Sequence, residues 1–436
     1  MAAYSETLHY IFNLRGGEID LRLNRVEQAL SLFGHPERRF PALHIAGTNG
    51  KGSTAAMLHR ILFLQGYRVA LYTSPHVGSF TERMRVGEEE ISQEEVVELA
   101  ESLKRRLARE KVSLTFFEFV TVMAFIYFAR RKVDLAVVEV GLGGRLDATN
   151  VITPRVSVIT TISKDHEAYL GSDLLSIARE KGGIIKSRVP VVGGSFVPDV
   201  CSLLKEIAQA QGSAHYFLGQ DFSFVLKDKG LFDYKGLQWD LKDLSLALRG
   251  RHQRSNAALA LSALEAVGGE FAVGEAAVRE GLATVFWPGR FEVILRRPPV
   301  ILDGAHNVEG AKALVEEIKN FVGNKKVKIL FAAMEDKDWA SMLCELSAVA
   351  SEMVLTRVPM ARSADPRKLL AAVPQGIPAT LVDQPVQALN HLLRAADTDQ
   401  PLLVAGSLYL LGEVRPFLAE MSLREFPQGE MAGGRV

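Results

Sequence analysis

The feature that most constrains the fold of this sequence is a glycine-rich loop between a strand-like and a helix-like segment. The loop, Gly47–Ser53 (GTNGKGS), follows the short apolar run Ala42–Ala46. After it, Ser53–Gln65 has the pattern of a helix, Gly66 would end that helix, and Arg68–Thr73 is again apolar. A strand, a helix and a second strand in this order predict a βαβ unit and therefore a parallel sheet.

The residue types of this loop suit it to bind the phosphates of a nucleotide. Glycines let the backbone wrap closely around phosphate oxygens, and the N-terminus of the following helix adds N–H donors and a positive dipole. Lys51 would add a positive charge beside the β and γ phosphates. The spacing differs from the common P-loop, because only two residues separate the first two glycines and Gly52 stands between Lys51 and Ser53. The strand–loop–helix context and the lysine favour a phosphate site over a simple turn.

The alternation of strand and helix patterns continues along the chain in two series. The first predicts strands at Asp134–Val140, Val156–Ile162 and Val189–Val192, and helices at Glu94–Arg109, Phe117–Arg131, Leu174–Lys186 and Gln253–Ala266. The second predicts strands at Val300–Asp303, Val327–Ala332, Glu352–Thr356, Thr380–Asp383 and Leu402–Ala405. Between the two series, Ala214–Leu248 consists of short alternating runs, which predict a small antiparallel β patch.

These patterns predict an α/β protein of two domains, which is compatible with a length of 436 residues. Residues 1–297 would form an N-terminal P-loop parallel-sheet ATPase domain that carries the small β patch. Residues 298–436 would form a C-terminal Rossmann-like α/β domain. The boundary is expected near Arg296–Pro299, because the run RRPP is interpreted as a linker.

Polar side chains stand at the ends of predicted strands, where open parallel sheets bind ligands. Ser74 follows the second strand in the run TSPH, and Glu139 ends the apolar run LAVVE. A carboxylate in a buried strand is costly unless it is paired or bound to a metal, so a magnesium ligand is favoured over a salt bridge for Glu139. Asp165 and His166 follow the strand VSVITTI and are further candidate ligands.

The residues alone leave other positions open. Lys181 lies in a charged helical turn, AREKGGIIK, and is interpreted as a solvated lysine. Arg290 precedes the second series of strands, and Asp303 and His306 follow the first strand of that series. The arginine could reach a phosphate, and the other two side chains could hold a ribose or a substrate. A proline–glycine turn followed by a polar loop is the alternative.

Charge and hydropathy argue against two classes of partner. Lysine plus arginine and aspartate plus glutamate both number 51, so no overall field attracts nucleic acid or an anionic membrane. The longest apolar stretch, 116–129, contains Glu118 and is too short to span a bilayer. The N-terminus lacks the basic segment and apolar core of a signal peptide. We therefore expect a cytoplasmic protein with small-molecule partners, and we expect it to be a monomer.

Six motifs, taken in order, resemble those of one enzyme family. They are GTNGKGS, TSPH, VEVGLGGRLDATN, DH followed by EKGGI, PGRFE and LDGAHN. Together they resemble the folylpolyglutamate synthases and bifunctional dihydrofolate synthases of the Mur ligase superfamily. The resemblance implies an ATP-dependent ligase that joins L-glutamate to the carboxylate of dihydropteroate, of a folyl-(poly)glutamate, or of both. The reaction would pass through an acyl phosphate.

The resemblance also implies which residues bind ATP and metal. The positions that would contact ATP are Thr48, Asn49, Gly50, Lys51, Gly52, Ser53, Asn256, Arg290 and Asp303. Mg²⁺ would be held by Ser74, Glu139 and His166, and K⁺ is a further cation that the resemblance allows. The catalytic residues would be Lys51, His306 and Lys181. The amine of Lys181 would capture carbon dioxide as a carbamate, an anion that can stabilise a metal.

A third set of positions is implied for the pterin-containing substrate. Its members are Glu18, Ile19, Asp20, Leu21, Thr115, Phe116, Phe117, Glu118, Leu146, Asp147 and Ala148. Phe117 offers an aromatic face for a flat heterocycle, and Asp147 or Glu118 could accept hydrogen bonds from its N–H groups. Lys164 and Glu167 depart from the usual Leu and Thr around the motif DH, and these charges could perturb the surroundings of the metal.

Three alternatives stay open. The chain could be a folylpolyglutamate synthase only, or another Mur-type amino-acid ligase that acts on a UDP-linked or other peptide. It could also be a P-loop switch protein without ligase activity, but that hypothesis leaves the second domain and the run LDGAHN without a role.

Overall fold

The computed structural model describes residues 2–14, 22–165, 167–396 and 399–425. The chain forms two compact units. The first comprises the residues up to Pro75 together with Phe80–Leu246 and Arg254–Val285. The second comprises His76–Ser79, Ala247–Gln253 and the chain from Phe286 onward. Among the described residues, no helix has the length and apolarity needed to cross a membrane.

The first unit is built on an eight-stranded sheet. Its strands are β1 (Ala42–Ala46), β2 (Val69–Tyr72), β3 (Met84–Val86), β4 (Glu89–Glu90), β5 (Leu135–Glu139), β6 (Val156–Ile159), β7 (Val191–Gly193) and β8 (His215–Phe217). Across the sheet they run in the order β4-β3-β2-β5-β1-β6-β7-β8. The six strands from β2 to β8 in this order are parallel to one another. At the other end of the sheet, β3 is antiparallel to β2, and β4 is antiparallel to β3. The predicted parallel sheet is therefore confirmed, with the strand before the glycine-rich loop near its centre.

Ten helices accompany these strands among the described residues. They are α1 (Ala2–Phe12), α2 (Asn24–Ser31), α3 (Lys51–Leu64), α4 (Gln93–Arg109), α5 (Phe116–Arg131), α6 (Glu167–Leu170), α7 (Leu174–Gly182), α8 (Pro198–Ala210), α9 (Arg251–Val267) and α10 (Glu275–Thr284). The first residues of α9 belong to the second unit. Residues 118–128 of α5 are all buried, which explains why this helix is apolar on every face.

One helix ends earlier than its sequence pattern predicts. The pattern predicts a helix over Leu174–Lys186, but α7 ends at Gly182. A Cβ on Gly183 would overlap the side chain of Arg145, so the chain passes this point only because the residue is a glycine. The end of α7 thus packs closely against Arg145, a contact with a distant segment that local periodicity cannot report.

The predicted antiparallel patch is present but smaller than expected. It consists of β9 (Ser223–Leu226), β10 (Phe232–Lys235) and β11 (Asp240–Leu244). The beginning of the predicted region instead forms β8, which pairs in parallel with β7 at the edge of the large sheet. Glu265 of α9 anchors the β10–β11 turn, because its carboxylate accepts hydrogen bonds from the backbone N–H groups of Gln238 and Trp239, both at 2.6 Å.

The second unit contains a six-stranded sheet and helices. Its strands are β12 (Glu292–Arg296), β13 (Pro299–Leu302), β14 (Val327–Phe331), β15 (Ala350–Leu355), β16 (Ala379–Leu381) and β17 (Leu402–Ala405). Its helices are α11 (Val308–Val322), α12 (Trp339–Ser347), α13 (Pro366–Ala371), α14 (Pro385–Ala395) and α15 (Leu408–Glu425). The strand order is β12-β13-β17-β14-β15-β16, and only β12 is antiparallel to its neighbour. The five predicted strands of a Rossmann-like domain are all found.

The run RRPP does not lie between the two units. Arg296 pairs with Pro299 at the turn of the β12–β13 hairpin, so this run lies inside the second sheet. The longest continuous part of the second unit begins earlier, at Phe286. The structure thus differs from the interpretation of Arg296–Pro299 as a linker, because a short edge strand precedes the first predicted strand and uses the two prolines in its turn.

Candidate active site

The glycine-rich loop joins β1 to α3 in the way that its sequence predicts. Gly47 and Gly50 have φ angles of +150° and +87°, a region of backbone conformation that favours glycine. A Cβ at Gly47 would overlap the hydroxyl of Thr160, and a Cβ at Gly50 would overlap the side-chain oxygen of Asn256. The two glycines are therefore required by conformation and by space, and Asn256 of α9 lies directly beside the loop.

The segment after β6 braces the loop. Thr48 donates its backbone N–H to the carbonyl of Thr161 at 2.9 Å, and its hydroxyl both donates to and accepts from the backbone of Ser163 at 3.1 Å. The backbone N–H of Asn49 donates to the hydroxyl of Thr161 at 2.9 Å. Thr48 and Asn49 thus hold the loop in shape, while Gly52 and the buried Ser53 lie in the first turn of α3.

Lys51 folds back across the loop. Its ammonium group donates to the carbonyl oxygens of Gly47 at 3.0 Å and of Thr48 at 3.1 Å. These two acceptors hold the charge at the mouth of the loop, where the N-terminus of α3 adds its own positive dipole. An anion that entered the loop would meet both.

Ser74 and Glu139 come together at the end of neighbouring strands. The backbone N–H of Ser74 donates to a carboxylate oxygen of Glu139 at 3.1 Å, and Glu139 is only 5% exposed. Because β2, β5 and β1 are adjacent and parallel, this pair and the glycine-rich loop share one edge of the sheet. Carboxylate and hydroxyl oxygens are the ligands that Mg²⁺ prefers, so the pair fits a magnesium site.

The third residue implied for that site, His166, lies outside the described residues. Asp165, which precedes it, follows β6 on the same edge of the sheet as the loop. The described residues contain no group of three or more His, Cys, Asp or Glu side chains arranged to hold a metal ion.

Lys181 is buried, so its interpretation as a solvated lysine was wrong. It lies in the last turn of α7 and is only 3% exposed. Burial, and next the charge of Lys51, lower the pKa of this amine to about 7, although Asp165 and Asp147 act in the opposite direction. At neutral pH the side chain is therefore a substantial source of uncharged amine.

Thr115 and Glu118 form the cap of α5. The hydroxyl of Thr115 accepts from the N–H of Glu118, and a carboxylate oxygen of Glu118 accepts from the N–H of Thr115 at 2.7 Å. The other carboxylate oxygen accepts from Arg25 at 2.7 Å. This capping box and ion pair use both oxygens of Glu118, so its first role is to fix the start of the helix that carries Phe116 and Phe117.

The two phenylalanines of this helix lie in different surroundings. Phe116 stacks on Phe12 with 5.5 Å between ring centroids. Phe117 packs against Gly141 so closely that a Cβ on that glycine would overlap the ring. The structure therefore places Phe117 beside Gly141, in the segment that continues to Leu146, Asp147 and Ala148, and a shared binding surface stays a prediction.

Asp147 is buried, and its carboxylate serves the local backbone. One oxygen accepts from the N–H of Thr149 at 3.0 Å and from its hydroxyl at 2.5 Å, and the other accepts from the N–H of Leu142 at 2.8 Å. Burial raises the pKa of this carboxyl group in spite of these bonds. Both oxygens of Asp147 thus bond within its own loop, and its acceptance of a hydrogen bond from a pterin stays a prediction. Leu146 is half-buried and Ala148 is buried; Glu18–Leu21 lie outside the described residues.

Replacing Asp147 by alanine is expected to destabilise the first unit. Loss of a buried charged acceptor with three donors should lower the free energy of unfolding by about 1.5–3 kcal/mol, measured by urea denaturation. Asp173→Ala is the matched control, because Asp173 also caps a helix with two bonds to Ser176 but lies at the surface. An equal loss in both variants would contradict the buried role of Asp147.

In the second unit, the residues implied for nucleotide and catalysis surround Gly304. A guanidinium nitrogen of Arg290 donates to the carbonyl of Gly289 at 3.0 Å and lies where a Cβ of Gly304 would be. The carboxylate of Asp303 accepts from the N–H groups of Phe291 and Ala305, both at 2.9 Å. The ring of His306 lies 2.9 Å from the carbonyl of Gly304. Arg290, Asp303 and His306 therefore form one cluster at the carboxyl end of β13.

Comparison with known proteins identifies the chain. Residues 45–264 match the Mur ligase middle domain, and residues 289–408 match the Mur ligase, glutamate ligase domain. The chain is 34% identical over 425 residues to the dihydrofolate synthase/folylpolyglutamate synthase of Bacillus subtilis, and the match covers 95% of this chain and 98% of that protein. The chain belongs to the dihydrofolate synthase/folylpolyglutamate synthase family.

Two further members of the family match along nearly the whole chain. The folylpolyglutamate synthase of Lacticaseibacillus casei is 35% identical over 427 residues, covering 95% of this chain and 98% of the relative. The structure of Escherichia coli FolC in complex with DHPP and ADP has a TM-score of 0.88 and 34% identity, covering 96% of this chain and 98% of that chain. The predicted α/β fold is confirmed, and the protein is an ATP-dependent Mur-type ligase of folate metabolism.

Sequence reasoning missed the residues that brace the family's nucleotide loop. Thr160, Thr161 and Ser163 follow β6 and bond to the loop through hydroxyl or backbone groups. The signal was present as a hydroxyl-rich run, TTIS, directly after an apolar strand. A hydroxyl-rich run at the end of a strand next to the P-loop strand predicts side chains that can hydrogen-bond to backbone groups of the loop, which have no partners in regular secondary structure.

Proposed function

We propose that this ligase is bifunctional, adding L-glutamate both to dihydropteroate and to a reduced folyl-(poly)glutamate. Use of both substrates is supported by the Bacillus subtilis relative, which carries both names, and the ATP-dependent step that they share is supported by the cluster at the carboxyl edge of the first sheet. There a braced phosphate loop, a buried carboxylate beside Ser74 and a buried lysine with a lowered pKa occur together. A narrower function as folylpolyglutamate synthase only is the second candidate, because the Lacticaseibacillus casei relative carries that name alone.

The glycine-rich loop would bind the phosphates of ATP. The first turn of α3 presents the backbone of Lys51, Gly52 and Ser53 at a helix N-terminus, which suits an anion. The ammonium group of Lys51 would exchange its carbonyl acceptors for phosphate oxygens. Asn256, which lies beside Gly50, would contact the same nucleotide. The presence of ADP in the related Escherichia coli structure supports this use of the loop.

Ser74, Glu139 and His166 would hold Mg²⁺. When bound, Mg²⁺ neutralises negative charge on the phosphates during transfer. The residues of the chain would orient it, since the backbone of Ser74 fixes one oxygen of Glu139 by a hydrogen bond. K⁺ is a further cation in this proposal.

The chemistry starts from a poor electrophile, because a carboxylate resists attack by an amine at neutral pH. The carboxylate oxygen of the folate-type substrate would take the γ-phosphoryl group of ATP, giving an acyl phosphate and ADP. The amine of glutamate would then attack the acyl carbon, lose a proton, and expel phosphate. Lys51 would stay on the transferred phosphoryl group, so the protein acts by positioning and by charge.

The cluster around Gly304 would serve the same reaction from the second unit. Arg290 and Asp303 would contact the nucleotide, and His306 would hold the acceptor or the phosphates. Asp303 keeps its rigid position because two backbone N–H groups bind its carboxylate. Arg290 is held by the carbonyl of Gly289, which leaves its guanidinium with further donors for an anion.

The surface around Phe117 would bind the pterin. Its ring lies against Gly141, close to the segment that carries Leu146 and Ala148, and would stack on a flat heterocycle. The carboxylates of Glu118 and Asp147 already accept hydrogen bonds from backbone N–H groups. They would therefore hold the shape of this surface, and other groups would also hydrogen-bond to the pterin. DHPP in the Escherichia coli structure supports a substrate site of this kind.

Both products are expected when the enzyme receives both substrates. Purified protein is incubated with ATP, Mg²⁺ and glutamate, together with either dihydropteroate or a reduced monoglutamyl folate. The products are identified by mass spectrometry. We expect dihydrofolate in the first reaction and longer glutamyl chains in the second. Chain extension without any dihydrofolate would leave folylpolyglutamate synthase as the function, and no product from either substrate would refute the proposal.

A further inference from the structure

The segment that follows β5 and continues into the short turn Ala148–Val151 contains Leu146, Asp147 and Ala148. This stretch, Gly141–Asn150, is called here the 141–150 segment. It includes three glycines in its first four residues, and glycine loses more conformational freedom on ordering than any other residue. A segment of this composition needs contacts from outside itself to keep one shape.

The last turn of α7 supplies such contacts through Glu180. The backbone N–H of Arg145 donates to the carbonyl of Glu180 at 2.7 Å. The guanidinium of Arg145 donates twice to one carboxylate oxygen of Glu180, at 2.8 Å and 3.1 Å. The two residues are therefore joined through backbone and side chain at once, which gives the contact a defined direction.

Asn150 makes a second connection at the other end of the segment. Its side-chain amide donates to the carbonyl of Arg145 at 2.9 Å and to the carbonyl of Gly183, just beyond α7, at 3.1 Å. Asn150 is 4% exposed, so these bonds are shielded from water. The segment and α7 also lie too close for larger residues, since a Cβ on Gly144 would be 2.8 Å from the carbonyl oxygen of Glu180.

We propose that Arg145 and Glu180 are positioning residues that hold the 141–150 segment in the shape that binds the pteroyl part of the substrate. The inference rests on the function proposed above, and neither residue is assigned a contact with substrate. Without the ion pair, the 141–150 segment would lose conformational entropy each time the substrate bound, and this loss would weaken binding. With the ion pair, the segment is already ordered in the folded protein before the substrate binds.

The chain offers a closely matched control pair. Arg155 donates through two guanidinium nitrogens to one carboxylate oxygen of Glu270, at 2.9 Å and 3.2 Å. The side chains of Arg155 and Glu270 are 52% and 47% exposed, against 56% and 20% for Arg145 and Glu180. Both pairs lie in the first unit and have the same bond geometry, but Arg155 and Glu270 are not part of the segments proposed for substrate binding.

The test compares Arg145→Met with Arg155→Met by steady-state kinetics. For Arg145→Met we expect KM for dihydropteroate and for the reduced folate to rise roughly three- to tenfold, with kcat and KM for ATP changed less than about twofold. Arg155→Met should match the wild type in all three quantities. Exchange of the partners, Arg145→Glu with Glu180→Arg, should recover at least part of the lost affinity. A merely structural role would not produce this split.

Other outcomes would overturn the inference. An unchanged KM for the pteroyl substrates, an equal rise in Arg155→Met, or a parallel fall in kcat and rise in KM for ATP would each do so. If Arg145→Met fails to fold, Glu180→Gln and Arg145→Lys carry the same comparison. Failure of the proposed catalytic function would appear separately, as absence of product from the wild-type enzyme. In that case, dissociation constants for dihydropteroate, measured without turnover, still test the positioning role of Arg145 and Glu180.

Discussion

Lys51→Ala is expected to abolish amide formation while leaving the protein folded. The side chain supplies a charge at the mouth of the phosphate loop, where its ammonium group donates to the carbonyls of Gly47 and Thr48. Because phosphoryl transfer depends almost wholly on positioning and charge, kcat should fall by at least about a thousandfold. Product formation is measured by mass spectrometry, and the fold by circular dichroism and urea denaturation.

Lys326→Ala is the control for this experiment. Lys326 also donates to a backbone carbonyl, that of Ala348, at 2.6 Å, but it belongs to the second unit and is not part of the phosphate loop. Its loss should leave turnover unchanged. Wild-type rates from a folded Lys51→Ala variant would refute the assignment of the loop, whereas loss of structure would show that Lys51 is needed for the loop's own fold.

Periodicity predicted the sheets well because each central strand is buried on both faces. β1 and β5 are fully buried runs that are apolar except for His44 and the terminal Glu139, and β1 is followed directly by a glycine, so both strands are visible in the sequence. The strand-to-helix loop was likewise predictable from its glycines. The edge strand β12 was not, because the run FEVILRRPP combines strand and linker signals and only its pairing with β13 decides between them.

The environment of single polar residues was the part that sequence could not predict. Lys181 sits in a charged turn, but packing of α7 against the 141–150 segment removes it from water. Glu118 and Asp147 have the residue types of a substrate site, yet backbone N–H groups bind their carboxylates. The spacing of Thr115 and Glu118 is a capping-box pattern that the sequence shows, whereas the Arg25–Glu118 ion pair and the burial of Lys181 depend on segments distant in sequence, which no local pattern reports.

Acid should reduce activity through Lys181. Its pKa is lowered, so the folded protein releases the proton at about pH 7, while the unfolded chain keeps it up to the ordinary value of 10.5. Below pH 7 the buried amine is charged, and the whole destabilisation of the folded state is present. Between pH 7 and 10.5 the free energy of unfolding rises with pH, because the unfolded chain binds the proton and the folded protein does not. Carbon dioxide reacts with the uncharged amine only, so carbamate and activity should both decline below pH 7, as followed by the rate at fixed bicarbonate.

Lys181→Ala should lose most of its activity, and short-chain carboxylic acids should restore part of it. At pH 7 about half of an amine with this pKa is uncharged, against roughly one in 3000 for an ordinary lysine, so carbamate can form under mild conditions. Wild-type protein in ¹³C-bicarbonate should give a carbamate signal by NMR that Lys181→Ala lacks. The signal should persist in Lys328→Ala, since Lys328 is also buried but pairs with Glu352 at 3.0 Å. Full activity of Lys181→Ala, or no such signal in the wild type at alkaline pH, would exclude a carbamate at this position.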